Sequence, residues 1–417
     1  MRNSYCYLNL KAVASAFIVF FMVSMAGVES TYDADSALEA ESAAVYLDVD
    51  EMPRPSETVP ENPASENMYD SQKRNGGNEE KGESGKEYAA ELLKVIAVGD
   101  IMLGRGVGAR LEAQYLGYLH PFKNIAEELK KGDIVFGNLE QPITGSSHSL
   151  DGRMKFVLKS KPESIAGLKF AGFNLLSLAN NHIMDYYDTG LYDTLNILEQ
   201  ERIAFCGAGK NLDEARRPAI IERKGIKVGM LAYTDMAEIV FKGSPSIYFA
   251  AEAEKAGVAP RRIEYIREDV GKLKDSVDIL IVSLHWGVED SFGVLQEQVL
   301  FARELIDMGV DAIFGHHPHR FQGIEIYRGK PIFYSLGNFI FDKNDPENQE
   351  SFIAVMEYSG GELVSLTAIP FRIVEKTRIE LQAGPDASDM LERELKLSQK
   401  LGSNCEVTDD KIIFKIK

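Results

Sequence analysis

The chain has 417 residues, with 64 Asp and Glu against 46 Lys and Arg, a formal charge of −18 at pH 7. So acidic a field argues against nucleic acid as a partner, because phosphate binding rests on clustered Lys and Arg. Three Cys are too few for a disulfide scaffold or a thiolate zinc cage, and the single long apolar run rules out a multi-span membrane protein.

That run lies at the front. Arg2 and Lys11 precede an apolar stretch from Ala12 to about Val28, with small residues at Ser24 and Ala26. Residues 1–28 therefore read as an export segment, and both a cleaved signal peptide and an N-terminal membrane anchor fit. Residues 29–93 read as a disordered acidic linker. Acidic side chains, Pro53, Pro55, Pro60 and Pro63, and runs such as Asn75-Gly76-Gly77 leave too few apolar groups to offset ordering entropy. The expected location is exported, at the cell surface, anchored or secreted.

From residue 94 the pattern alternates. Lys94–Gly99, Asp133–Gly137, Asn174–Leu178, Ile203–Cys206, Ala219–Glu222, Lys227–Tyr233, Asp278–Leu284 and Asp311–Gly315 are short apolar runs that predict strands. Between them, Pro121–Lys131, Glu163–Ala171, Thr189–Glu201, Arg261–Leu273 and Gln296–Met308 carry helical spacing. Hairpins follow, Phe321–Tyr327 with Lys330–Ser335 and Ser351–Tyr358 with Leu363–Ile373, turning at Gly329 and Gly360-Gly361. Residues 375–417 offer one helix, Met390–Leu401, and a strand, Lys411–Ile416. Helix-linked strands followed by hairpins imply an α/β fold with one mixed sheet, or two stacked sheets with helices outside.

Polar residues collect where the strands end. Asp100 ends the first; Asn138 and Glu140 end the second; Asn180, Asn181 and His182 end the third, with Asp185 beyond. His285 closes the strand from Asp278, His316, His317 and His319 follow Asp311–Gly315, and Asn338 follows Ser335. Five of the seven His fall in these loops, at the carboxyl edge where α/β sheets bind ligands. Taken singly, Asp100 can cap a helix, Asn138 and Glu140 can satisfy loop backbone, and His285 can pack beside Trp286. Three imidazoles around Pro318 are hard to justify as packing. Asp, Glu, Asn and His are the donors of a divalent-ion site, for which Mn, Zn and Fe are not distinguished.

Seven stretches now combine: VGDIMLGR (98–105), GNLEQPIT (137–144), LANNHIMDY (178–186), GAGKNLDEARRP (207–218), LHWGVE (284–289), GHHPHRFQGIEIY (315–327) and YSLGNFIFD (334–342). Together they resemble the bacterial capsule-synthesis CapA, or poly-γ-glutamate biosynthesis (PGA-cap), family over about residues 94–345. That family looks like a relative of the calcineurin-like metallophosphatases. The resemblance implies a four-layer α/β/β/α sandwich of two mixed sheets over residues 94–374, with 375–417 as a C-terminal extension. It also implies one or two divalent ions. Asp100 matches the first-motif ligand, Asn138 or Glu140 the second, and Asn181 the amide ligand. His285, His317 and His319 match imidazole ligands, and His182 the general acid. Met102 stands where the phosphatases have His, and Asn138 where Asp is usual.

The implied function is capsule or poly-γ-glutamate biosynthesis through a metal-dependent hydrolase-like site. In that reading Asn180, Arg105, Lys155, His316 and Asn338, with Arg153 or Arg320, hold an anionic polymer or a small anionic substrate. Two alternatives stand beside it. One is a non-catalytic accessory of a membrane capsule synthase complex, tethered through the N-terminal segment. The other is a metal-dependent phosphoesterase acting on another substrate.

Overall fold

The computed structural model describes residues 91–239 and 247–416. The export segment expected at 1–28, and the acidic linker up to residue 90, lie outside these residues. Among the described residues no helix is long and apolar enough to cross a membrane.

Strands are numbered in chain order. The first four, β1 (Leu93–Ile101), β2 (Ile134–Leu139), β3 (Leu175–Ser177) and β4 (Ala204–Cys206), pair in parallel. The two-residue β5 (Ala208–Gly209) pairs β8 (Gly257–Val258) apart from the main sheets. A second sheet runs in the order β11 (Ile324–Tyr327), β12 (Lys330–Phe333), β10 (Ala312–His316), β9 (Ile279–His285), β7 (Ile226–Thr234), β6 (Ala219–Arg223). The short β13 (Asn338–Ile340) lies parallel to β1. The hairpin β14 (Glu350–Ser359) and β15 (Glu362–Val374) then joins the free side of β1, antiparallel to it. Finally β16 (Arg378–Leu381) and β18 (Lys411–Phe414) pair β15, and β17 (Cys405–Thr408) closes that edge. Both large sheets are therefore mixed.

Side-chain alternation divides the packing. Val95 and Ala97 of β1 share one core with Phe136, Met230, Ile281, Phe314, Ala354 and Met356, residues drawn from both sheets. The Phe136 and Phe314 ring centroids are 5.0 Å apart across it. Ile96 and Val98 face the other way, onto Leu129 and Leu168 from helices Ala126–Leu129 and Ile165–Ala171. Val282 and Ile313 pack on helices Ile263–Leu273 and Gln296–Asp307 through Ile266, Val270, Val299 and Leu305. Strands covered on both faces read as continuous apolar runs, and β9 is buried at all seven residues. Residues past 375 enter the shared core too: Met390 and Leu391 of helix Pro385–Lys400, with Ile412 and Phe414 of β18.

Register sets the functional edge. Asp100 lies opposite Asn138, and His285 opposite both Thr234 and His316. Two glycines let the backbone close behind these ends. A Cβ on Gly99 would lie 1.9 Å from Gly337 O, and one on Gly315 would lie 1.9 Å from Tyr334 O. Only glycine fits there.

Candidate metal centre

Three loops far apart in sequence meet at that edge. Ligand atoms of Asp100, Glu140 and His319 all lie within 4.8 Å of one another, and all three residues are buried. Asp100 is the penultimate residue of β1, and Glu140 follows β2, its N–H donating to Ile101 O at 3.1 Å. His317 and His319 follow β10 around Pro318, both in the left-handed region at φ 98° and 57°. Non-glycine residues adopt that region at a cost of about 1–3 kcal/mol, which the rest of the fold must offset.

A hydrogen-bonded shell fixes the set. Asp100 Oδ1 accepts from Asn138 Nδ2 at 2.8 Å and lies 3.1 Å from His316 Nδ1. Asp100 Oδ2 lies 3.4 Å from both His317 N and His319 Nδ1. His319 Nδ1 is 2.9 Å from Asn338 Oδ1, and Asn338 in turn donates to His319 O and Asn348 O. That leaves His319 Nε2, 3.9 Å from Glu140 Oε1, as the lone-pair nitrogen. His285 Nε2 is 2.9 Å from Asn181 Oδ1 and 3.9 Å from Glu140 Oε1. The His285 and His317 rings are 4.9 Å apart.

The electrostatics ask for a cation. Burial would raise Asp100, but hydrogen bonds from His316 and His319 hold it well below the usual carboxylate range. Burial, with the negative charges of Asp100 and Glu289, pushes Glu140 well above it. Burial also keeps His285 and His317 neutral, the latter down to about 4. Two buried carboxylates beside uncharged imidazoles are costly unless a positive charge joins them. Glu140 Oε1 and His317 Nδ1 are buried with no hydrogen-bond partner. Unpartnered acceptors in a cradle of carboxylate and imidazole fit a borderline divalent ion.

The other residues singled out from sequence fall behind, beside, at the rim of and outside this cradle. Asn180, His316 and Asn338 are fully buried behind the carboxylates and brace them. His182 sits beside the cradle, its Nδ1 2.8 Å from Asp185 Oδ2, which also accepts from Leu158 N at 2.6 Å. Arg105 lies at the rim, its guanidinium paired with Asp342 and 5.1 and 5.9 Å from the Phe156 and Phe341 ring centroids. The Phe341 ring is 4.6 Å from His319. Lys155 is exposed and stays outside, 5.2 Å over Phe156. Arg320 is committed to Asp345 and Glu347. Met102 is buried among apolar side chains and contributes no donor.

Sequence reasoning left Glu289, Lys343, Asp342 and the partner role of Asp185 unassigned. Glu289 bonds Lys343 at 2.8 Å. Against its burial, His317, His319 and Lys343 hold it down to about 2. The signal was present in LHWGVE, four residues past His285, where Gly287 turns the chain at φ 88°.

Fold and site together define a mixed α/β protein with a candidate metal centre at its strand ends. The chain belongs to the family described as bacterial capsule synthesis protein PGA_cap, which matches residues 94–343. It is 31% identical over 332 residues to PGA biosynthesis protein CapA of Bacillus subtilis, covering 79% of this chain and 84% of that one. Capsule biosynthesis protein CapA of Bacillus anthracis is 29% identical, with 79% of each chain covered. A probable polyglutamine synthesis accessory protein of Mycobacterium tuberculosis is 28% identical over 78% of this chain and 96% of its own. The crystal structure of TT1561 of Thermus thermophilus aligns with 65% of this chain at 12% identity and a TM-score of 0.37, too distant to bear on function.

Proposed function

We propose that this chain serves capsule or poly-γ-glutamate biosynthesis at the cell surface through a divalent-metal-dependent, hydrolase-like site. The observation that carries the chemistry is the buried convergence of Asp100, Glu140 and His319. The names of the relatives supply the pathway. The proposed architecture is a four-layer α/β/β/α sandwich of metallophosphatase type, supported by the core shared between the two sheets and by helices on their outer faces. The proposed layout keeps an export segment at 1–28, an acidic linker at 29–93, the main domain at 94–374 and an extension at 375–417. The leader and its membrane tether are supported by the apolar run alone.

Asp100, Glu140 and His319 would hold the ion, with Asn138, Asn181, His285 and His317 lining the same cradle. A bound divalent ion supplies Lewis-acid polarisation of a phosphoryl or carbonyl oxygen. Asn338 holds the His319 ring so that Nε2 faces Glu140. Asp185 accepts at His182 Nδ1 and leaves His182 Nε2 to give or take a proton, the role of a general acid–base. Arg105 spends Nε and Nη2 on Asp342, and its remaining N–H groups can hold an anionic group at the rim.

A second reading, an accessory without catalysis, is favoured by the apolar burial of Met102 where the resemblance places an imidazole ligand. Polymer output in cells carrying His182→Ala or His317→Ala separates the two. Chemistry predicts lost polymer with a folded, expressed protein, whereas unchanged output from both variants favours the accessory. Elemental analysis of the full chain after Mn and Zn supplementation tests the shared premise. A metal-free protein would remove the hydrolase reading.

A further inference from the structure

The direction of one buried amide fixes how many ions this centre takes. Asn180 Oδ1 accepts from two backbone donors, His182 N at 3.1 Å and Ile183 N at 3.0 Å. Its nitrogen must therefore be the other end, and it donates to Leu139 O at 2.9 Å and to Asn138 Oδ1 at 3.1 Å. The oxygen of Asn138 is thereby committed, so its NH2 turns toward the cradle. Nδ2 sits 2.8 Å from Asp100 Oδ1, 3.4 Å from His285 Nδ1 and 3.5 Å from Glu140 Oε2. Turning the amide over would set two NH2 groups against each other and an oxygen against the Asp100 carboxylate.

The neighbours on that side are already paired. His285 Nδ1 receives the Asn138 N–H, so Nε2 carries the ring proton and donates to Asn181 Oδ1 at 2.9 Å. One neutral tautomer satisfies both ring nitrogens. Charge balance points the same way. Glu289 and Asp290 share Lys343, at 2.8 and 3.0 Å, and Asp100 and Glu140 are the carboxylates of the cradle itself, two that match one divalent ion.

We infer that the Asn138 amide stands in for a second cation, so that this centre holds a single divalent ion on Asp100, Glu140 and His319. The inference rests on the metal reading above and adds the stoichiometry. Asn138 is a positioning residue whose N–H groups draw Asp100, Glu140 and His285 together.

The test uses the full chain, stripped with chelator, loaded with Mn(II), gel-filtered and analysed for metal per protein. Wild type should retain about one equivalent with a magnetically uncoupled Mn(II) signal, and Asn138→Asp about two with the coupled signal of ions about 3.5–4 Å apart. Asn180→Asp gives an independent route. A carboxylate there cannot donate to Asn138 Oδ1, so the amide is free to turn its oxygen inward, and retained metal should rise above one. Two coupled ions in wild type overturn the inference while leaving the metal reading intact. So does Asn138→Asp that is folded by circular dichroism yet keeps one ion. If Asn138→Asp fails to fold, the wild-type ratio still decides. No retained metal in wild type sinks the metal reading itself, a different failure from a ratio of two.

Discussion

Glu394, on a helix that supplies no residue to the cradle, gives the sharpest test of the packing. It is buried in helix Pro385–Lys400 and lines a cavity of about 10 Å³ with Phe321, Gln322, Phe333 and Phe352. Ser398 Oγ donates to its Oε1 at 2.7 Å, while Oε2 has no partner. Burial pushes this carboxyl up from the ordinary 4.5 to about 8. The folded chain thus keeps a proton that the unfolded chain loses above 4.5, and the stability associated with it falls as pH rises from about 4.5 to about 8. Each pH unit in that window removes about 1.4 kcal/mol, so roughly 3 kcal/mol is gone at pH 7 and about 5 at pH 8. Against a typical total of about 5–15 kcal/mol, that is a large share. Glu394→Gln keeps the shape and the Ser398 contact and cannot ionise. Urea unfolding of both proteins at intervals from pH 5 to pH 8 should show the variant gaining on wild type by about 1.4 kcal/mol per unit. A difference that stays flat across that range would mean that the carboxylate is already ionised in the fold, and the reasoning from burial would be wrong.

Three other outcomes are expected. Gly315→Ala should lose the native circular-dichroism melt or fall by about 3 kcal/mol or more, because its Cβ would meet the Tyr334 carbonyl at 1.9 Å; a wild-type melt would mean that this backbone pair is not in close contact. Mn(II) at a hundredfold excess over its dissociation constant should stabilise the chain by about 2.7 kcal/mol and do nothing for Asp100→Asn; equal stabilisation of both proteins would place the ion elsewhere. Cys206 and Cys405 are free and buried, on β4 and β17 at opposite edges of one sheet. They do not pair with each other, so a reductant should leave the melting temperature unchanged; a fall of several degrees would contradict that separation.

The parallel strands were legible because burial on both faces writes an unbroken apolar run. Ile279–His285 and Ala312–His316 lie within one residue of where Asp278–Leu284 and Asp311–Gly315 placed them. Helices with a clear apolar stripe were legible as well, Gln296–Asp307 among them. Other elements carried no such signal. Helix Arg105–Ala113 contains two glycines and opens on Arg105 at φ 40°, so neither spacing nor cap marks it. β13 is three residues held by the close approach at Gly99, a contact between positions far apart in sequence. The predicted strand Phe321–Tyr327 begins only at Ile324, since Phe321 makes a lone bridge to Leu336. The shared order of β14, β1 and β2 came from no local pattern.

The site shows where residue types stop being enough. Donor-type residues at the strand ends suggested a divalent-ion site, and the family resemblance singled out Asp100, Glu140, Asn181, His285, His317 and His319 as its ligands. It could not say which way an amide points. Asn138 read as an alternative to Glu140 standing where Asp is usual, with no sign of which end of its amide faces the site. What sets it apart is Asn180, oriented by His182 N and Ile183 N, which takes the Asn138 oxygen and turns its N–H groups onto Asp100. The Asn180–Asn138 link spans 42 residues of sequence. On the inference drawn above, Asn138 acts as a buried donor that steadies Asp100 and Glu140 rather than as a ligand. The measurement sensitive to that distinction is Asn138→Ala: were Asn138 a ligand, the change would weaken Mn(II) binding and leave the metal-free protein as stable as before, whereas removal of a donor leaves Asp100 Oδ1 short of its 2.8 Å partner. Losing a hydrogen bond to a charged group costs about 1.5–3 kcal/mol, so the metal-free variant should be less stable by that amount, melt at a lower temperature, and recover part of the loss when the ion binds. An unchanged metal-free melt would return Asn138 to the rank of an ordinary ligand.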